Sequence, residues 1–301
     1  MTVNTENKPL LRIGFVDCFD GVADFFTAIF SNMYTVIRDD ENPDYLIFCD
    51  ETFGIENLKY NDKKCIKIFY TGENRRHTNY ACHYGITFDH SDDSRQYRLP
   101  LYTLNLFYLQ TRLNLDLIET VNKRMGSEPP AGRDFCGFVA SNPNCVKRNG
   151  FFHQLSEYKR VDSAGPLFNN VGHVLPRDAE GVLRKMEFLS KKKFTICFEN
   201  GSYPGYVTEK ILEAYLAGTV PIYWGSPTVD MDFNPDAFIN WHAYNSDKVF
   251  MEVIKHIDNN DEDYRLMYQA PFFRNEINSP MNIQNFIWWF HSEVYKGVLN
   301  G

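Results

Sequence analysis

The chemistry in this sequence starts with a lysine in an unfavourable place. In "YVTEKILEAYLAGTVPIYWG", from Tyr206 to Gly225, the apolar residues Ile211, Leu212, Tyr215 and Leu216 recur at helical spacing between Thr208 and Gly218, which predicts a short amphipathic helix. Lys210 then falls in the first turn, where unpaired N–H groups carry about half a positive charge. A cation there is opposed unless an anion joins it, and a phosphate or diphosphate shared by Lys210 and the helix end is the simplest partner. The alternative is a lysine that extends into solvent. Two other patterns invite metal chemistry. "DMD" at Asp230 to Asp232, like "DED" at Asp261 to Asp263, is the spacing with which some transferases hold a divalent cation and a nucleotide. "HTNYACHYGITFDH" gathers His77, Cys82, His83, Asp89 and His90, but these spacings fit no familiar zinc finger and the strand-like "YGITF" separates them. Three-residue acidic patterns recur by chance, so no metal site is assigned. Neither a GxxxxGK[ST] loop nor a GxSxG elbow occurs.

The elements that must position Lys210 are legible around it. "FTICFEN" before the helix and "VPIYWG" after it are compact apolar runs, so the order strand, loop, helix, strand forms a βαβ unit whose helix N-terminus faces the carboxyl edge of a sheet. Short apolar runs also recur earlier, in "LRIGFVDCF", "DYLIFCD", "CIKIFYTGE" and "YGITF", with longer segments such as 21–31 between them. A mostly parallel sheet with helices is the economical reading. The segment "LPLYTLNLFYLQTRLNLDLIETVNKR" looks helical, and "MGSEPPAGRD" then breaks the pattern. This predicts two α/β domains, residues 1–130 and 131–301, with alternation restarting at "FCGFVAS", "NGFFHQLSEY" and "RVDSAG". The aromatic tail "NFIWWFHSEVYKGV" reads as a last helix that packs on the body, back on the first domain, or else meets a partner or a membrane surface.

Composition agrees with a folded chain. It has 301 residues, 44% hydrophobic and 16% aromatic, enough for real cores. A net charge of −8 argues against a broad nucleic-acid or anionic-membrane surface; Arg75-Arg76 and the run 191–193 read as solvated faces or local anion contacts. No apolar run approaches the roughly 18 residues of a membrane span and no leader-like segment follows Met1. Seven cysteines without a CxxC pair, several inside apolar runs, read as buried free thiols of a reducing compartment. The expectation is a cytoplasmic protein, peripheral at most to the inner membrane.

With these residues in view, "FENGSYPGYVTEKILEAYLAGTVPIYWGSP" closely resembles the donor-binding motif of the α1,3/α1,4-fucosyltransferase family. The likeness extends through "FVASNPNCVKRNGFF", "YTGEN" and "YGITFDHSDDSRQYRLPLY", covering roughly residues 65 to 240. The resemblance implies a GT-B fold, two Rossmann-like domains facing across a cleft, with GDP-fucose on the second, the acceptor sugar on the first, and transfer with inversion. It implies that Lys210 and Arg148 hold the diphosphate, that Tyr206 and Glu209 contact ribose or fucose hydroxyls, that Glu73 is the general base, and, more weakly, that Asn200, Ser141 and Asn142 touch the donor. The acceptor implied is an N-acetyllactosamine-type glycan. No cofactor is required for the chemistry, a divalent cation being at most stimulatory. The chain lacks the C-terminal heptad repeats and basic amphipathic tail of some bacterial relatives.

That chemistry suits the residues. Sugar transfer from a nucleotide diphosphate forms an oxocarbenium-like centre while negative charge gathers on the leaving phosphate, and cations with a helix dipole can absorb it. Arg148, just before a helix expected from Asn149, can add a forked contact; by itself it reads as a surface arginine. A single displacement needs one base, and desolvation would strengthen Glu73 in that role; by itself Glu73 reads as a loop carboxylate capping a turn. Glu209 also stabilises a helix N-terminus in the ordinary way. A transferase for another nucleotide sugar, or a noncatalytic carbohydrate-binding protein on the same fold, are the alternatives.

Overall fold

A computed structural model describes residues 8–111, 124–176, 181–244, 246–274 and 282–295, with Asn114, Asp116 and Thr120. The chain divides into two compact units, residues 1–113 with 276–301, and residues 114–275.

In the first unit β1 (Leu10–Val16), β2 (Thr35–Arg38), β3 (Tyr45–Phe48), β4 (Ile66–Tyr70), β5 (Tyr84–Thr87) and β6 (Gln96–Arg98) pair in parallel in the order β2-β1-β3-β4-β5-β6. β3, at the middle of the sheet, is buried along its whole length, as expected of a parallel strand covered on both faces. Its "YLIF" is accordingly a continuous apolar run. The helices α1 (Val22–Phe30) and α2 (Leu101–Thr111) belong to this unit, and Phe25, Phe26, Ile29 and Phe30 of α1 pack into its core. Most of the predicted helix beyond Thr111 lies outside the described residues.

The aromatic tail completes that same core. Helix Ile283–Trp289 and the π-helical turn Phe290–Tyr295 insert Phe286, Ile287, Phe290 and Val294 among the α1 residues. The Phe290 and Phe30 rings stand 4.3 Å apart, Tyr34 Oη meets His291 Nδ1 at 2.8 Å, and Trp289 Nε1 donates to the Ser94 carbonyl at 2.9 Å. The second unit begins at residue 114, ahead of the boundary expected near 130, and the last segment lies with the first unit, one of the placements expected for the aromatic tail. The linker composition marks a break near 130, and the aromatic packing that holds the tail is what its composition signals.

In the second unit β7 (Asp134–Phe138), α3 (Val146–Tyr158), β8 (Val161–Ser163), α4 (Gly181–Ser190), β9 (Lys192–Phe198), α5 (Glu209–Leu216), β10 (Val220–Trp224), β11 (Ile239–Asn240), α6 (Asp247–Asn259) and α7 (Asp261–Gln269) follow one another. The sheet order is β11-β10-β9-β7-β8, again all parallel. Counting strands from the first of each unit, both sheets place the second strand on one side of the first and the third onward on the other. The winding reverses between β7 and β9, and in open α/β sheets ligands bind outside the carboxyl ends of the strands at such a reversal.

Two details differ from the sequence reading. Lys192, expected on a solvated face or at a local anion contact, is buried and pairs with Asp134 at 2.7 Å and with Asp162, so it ties β9 to β7 and, beyond it, β8; Lys191 and Lys193 pair with Glu187 and Asp258. Arg75 and Arg76 likewise meet Glu51 and Asp89. At the far end of α5, Gly218 adopts φ 81°, which lets the Thr219 N–H reach the Ala214 carbonyl. The buried Arg124 donates to the carbonyls of Tyr215, Thr219 and Tyr268 at 2.6–2.8 Å, gathering the C-terminal ends of α5 and α7.

Candidate donor site of the second unit

Strand β9 runs buried to Phe198 and delivers Glu199 and Asn200 at the winding reversal. Arg148 reaches them from α3. Its Nη1 donates to the Asn200 side-chain oxygen at 2.8 Å and to the Phe198 carbonyl at 3.3 Å, while Nη2 donates to the Asn142 carbonyl at 2.6 Å. It is 2% exposed, so the surface arginine read from sequence is a buried one. α3 begins at Val146, three residues ahead of the expected Asn149, because Cys145 at its N-cap offers no side-chain cap that the sequence could signal. All three oxygens that Arg148 meets are formally neutral, so among the described residues no acid pairs with its charge. A buried cation without one is an unusual expense.

Lys210 arrives from the opposite side of β9. α5 spans Glu209–Leu216 after Thr208, as the spacing predicts. The lysine Nζ donates to Glu199 Oε2 at 3.0 Å and to Thr208 Oγ1 at 2.8 Å, with Glu209 Oε1 3.5 Å away. Two ammonium hydrogens are thus engaged within the protein. Lys210 does not depend on a bound anion for charge balance, as the sequence reading supposed; Glu199 supplies it. Burial pulls the Lys210 ammonium down, but Glu199 and Glu209 outweigh it and raise its pKa. Burial likewise pushes the Glu209 carboxyl up, and Lys210 with Lys185 of α4 overcomes this and holds it at about 2. Both groups remain ionised around neutrality.

Sequence reasoning missed Glu199. It is wholly buried, and its Oε1 accepts the Thr208 N–H at 2.8 Å while Oε2 accepts the Thr208 hydroxyl at 2.7 Å. Thr208 therefore spends its hydroxyl on Glu199, not on capping the helix. A glycine supplies the room: a Cβ on Gly225, after β10, would stand 2.4 Å from Glu199 Cγ. An acidic residue closing an otherwise apolar strand, with a glycine closing the next, is the signal that could have found it. Lys185, paired with Glu213 at 2.7 Å, was also missed.

The other expected residues are distributed as follows. Asn200 and Asn142 join Arg148 as described, and half-buried Ser141 precedes Asn142. Tyr206 is 1% exposed, which leaves only a sliver of it for a sugar hydroxyl; the packing around β10, including a Tyr223 hydroxyl at 3.4 Å from the Tyr206 carbonyl, encloses it. Glu73 lies in the first unit, three residues past β4, in a turn where its N–H donates to Thr71 Oγ1 at 3.0 Å and its carbonyl accepts the Arg75 N–H at 2.7 Å. It is exposed there, so within its own unit it lacks the desolvation expected of a strengthened base. Asp230 is exposed and Asp232 buried, on one 3-10 turn, and His83 Nδ1 accepts the Lys67 N–H. Among the described residues no three His, Cys, Asp or Glu groups are arranged to hold a metal.

Residues 132–277 match the C-terminal region of glycosyltransferase family 10, the fucosyltransferases, and residues 12–105 match the N-terminal domain of the alpha-(1,3)-fucosyltransferase FucT. The chain belongs to glycosyltransferase family 10. Its family-10 relatives include the alpha-(1,3)-fucosyltransferase FucT of Helicobacter pylori, 34% identical over an alignment that covers 81% of this chain and 55% of that protein. Alpha-(1,3)-fucosyltransferase B of Drosophila melanogaster is 27% identical over 64% of this chain and 45% of its own length. The family-10 chain thus spans about half the length of the curated relatives it matches. A crystal structure of an alpha1,3-fucosyltransferase superposes with a TM-score of 0.80 at 27% identity, covering 97% of this chain and 92% of that one; a complex with GDP-fucose gives 0.77 over the same shares. The family-10 fold is GT-B type, an α/β architecture of parallel sheets. Among the described residues no helix is long and apolar enough to cross a membrane.

Proposed function

We propose that this protein is an inverting α1,3-fucosyltransferase, moving L-fucose from GDP-fucose to the 3-hydroxyl of the N-acetylglucosamine in N-acetyllactosamine-type glycans. One observation carries the reading: Arg148 and Lys210 converge on the residues 198–200 at the reversal point of a parallel sheet, which suits a diphosphate. In a single displacement the acceptor hydroxyl oxygen bonds to the fucose anomeric carbon from the face opposite the donor phosphate. The bond to the phosphate oxygen breaks with its electron pair leaving on GDP, and the hydroxyl proton passes to the Glu73 carboxylate. Arg148, Lys210 and the N-terminus of α5 take up the charge that accumulates on GDP. Glu209, held ionised, accepts hydrogen bonds from donor hydroxyls, and Asn200, Asn142 and Ser141 shape the donor site around Arg148. The enzyme works in the cytoplasm, where its seven free cysteines would stay reduced.

A panel assay tests this. The protein is incubated with GDP-fucose and lactosamine-type acceptors, with and without EDTA, and products are read by mass spectrometry and linkage analysis. The expected result is a donor-dependent gain of one fucose, α1,3-linked to N-acetylglucosamine, that survives EDTA. Relatives named GDP-fucose protein O-fucosyltransferase 3, such as that of Danio rerio at 26% identity over 69% of this chain, make protein acceptors the informative second arm. Transfer to protein alone would overturn the glycan acceptor. Binding of glycan with no transfer on any acceptor would favour a noncatalytic carbohydrate-binding protein, and no protection by GDP against thermal unfolding a transferase for another nucleotide sugar.

A further inference from the structure

We infer that Glu199 is the positioning residue of the donor site, a buried carboxylate that sets the Lys210 ammonium and the entry of α5 at a fixed place relative to Arg148. The inference rests on the donor reading above and adds to it the group that makes two separate cations act on one diphosphate.

The geometry is that of three consecutive residues with divided tasks. The Phe198 carbonyl and the Asn200 side chain hold Arg148, and the Glu199 side chain between them holds Lys210. The segment itself is pinned from two sides: the Glu199 N–H donates to the Trp224 carbonyl at 2.8 Å, and Cys145 Sγ, at the N-cap of the helix bearing Arg148, lies 3.4 Å from the Glu199 carbonyl. Any displacement of Glu199 would move both cations. A buried carboxylate needs its charge answered, and here the answer includes the side chain with which the donor is to be met. The Thr208 hydroxyl, accepting from Lys210 and donating to Glu199, closes a triangle that leaves the ammonium little freedom.

Charged groups reach Lys210 from every side. Glu199 faces it from the end of β9, Glu209 from its own helix, Arg148 from α3 and Lys185 from α4. With Glu199 made neutral, the ammonium would lose its nearest acid and keep Glu209 against Arg148, with Lys185 already paired to Glu213, so it would give up its proton at lower pH. An acid that served only to hold the backbone of the Thr208 turn would produce no such effect.

The test measures GDP affinity by titration calorimetry between pH 7 and 9.5 for the wild-type chain, E199Q, E199D and T208V, with folding checked by circular dichroism. We expect wild-type affinity to change little over this range. E199Q should bind at least about tenfold more weakly at pH 7.5 and lose a further several-fold by pH 9.5. E199D, which keeps the charge on a shorter arm, should recover the flat profile but not the full affinity. T208V, which keeps the side-chain shape and removes the hydroxyl between Glu199 and Lys210, should weaken binding a few-fold. Folded variants with wild-type affinity and an unchanged profile, or an E199Q that binds GDP more tightly, would overturn the inference while leaving the donor reading intact. A wild-type chain that binds no GDP would overturn both. If E199Q does not fold, E199D and T208V decide: wild-type affinity in both overturns the inference.

Discussion

Arg148 Nη2 stands 2.6 Å from the Asn142 carbonyl oxygen, so a guanidinium carried on α3 bridges the loops that follow β7 and β9. A lysine at this position could not serve three acceptors in two directions, because an ammonium lacks the planar fork. R148K is expected to lose about 2–3 kcal/mol of stability through carbonyls left unpaired in the interior. It should also lose tenfold or more in GDP affinity, read by urea unfolding and calorimetry on the same preparation.

Glu73 belongs to the first unit, where it stands in an exposed turn. If it is the base, E73Q should cut turnover by about 10²-fold or more while GDP binds within about twofold of wild type. A parallel fall in GDP affinity would be the wrong result for a group that acts on the acceptor.

Arg124 supports the other end of the helix that presents Lys210. Its three donors meet the carbonyls of Tyr215, Thr219 and Tyr268, and the Tyr215 and Tyr268 rings lie 3.9 and 4.4 Å from its guanidinium carbon. R124M keeps much of the bulk but strands those carbonyls, so the chain should be less stable by about 3 kcal/mol or more. The expected signature is a lower denaturation midpoint with an unchanged denaturant slope.

Acid should weaken the same helix entry. Glu209 is held at about 2 against an ordinary 4.5, so the unfolded chain takes up the proton first as pH falls. Its contribution is complete above about 4.5 and disappears as pH drops toward about 2. The stability difference between wild type and E209Q should therefore shrink across that window, measured by denaturant unfolding at a series of pH values. A difference that stays constant down to pH 2 would show that Lys210 and Lys185 do not hold the carboxyl ionised.

Much of the second unit was legible because local signals agreed. Thr208 and Gly218 bracket α5, and the apolar runs on either side are β9 and β10. The start of α3 was missed where Cys145 gives no capping signal, so Arg148 was read as flanking a helix that in fact contains it. Glu199 was illegible for a different reason: an acid after a strand ordinarily opens a turn, and only the space left by Gly225, 26 positions on, reveals a side chain folded inward. The aromatic composition of the tail signals that it packs on the body, but its partners, such as Phe30 for Phe290, lie across a separation that no local pattern encodes.

The position of that tail bears on how the chain can be made. The first unit leaves off at residue 113 and resumes at 276, so its hydrophobic centre lacks Phe286, Ile287, Phe290 and Val294 until the whole of the second unit has been synthesised. The second unit can reach its native form before the first is complete, and a chain cut before Ile283 would carry an intact second unit and a first unit whose interior is still open to water.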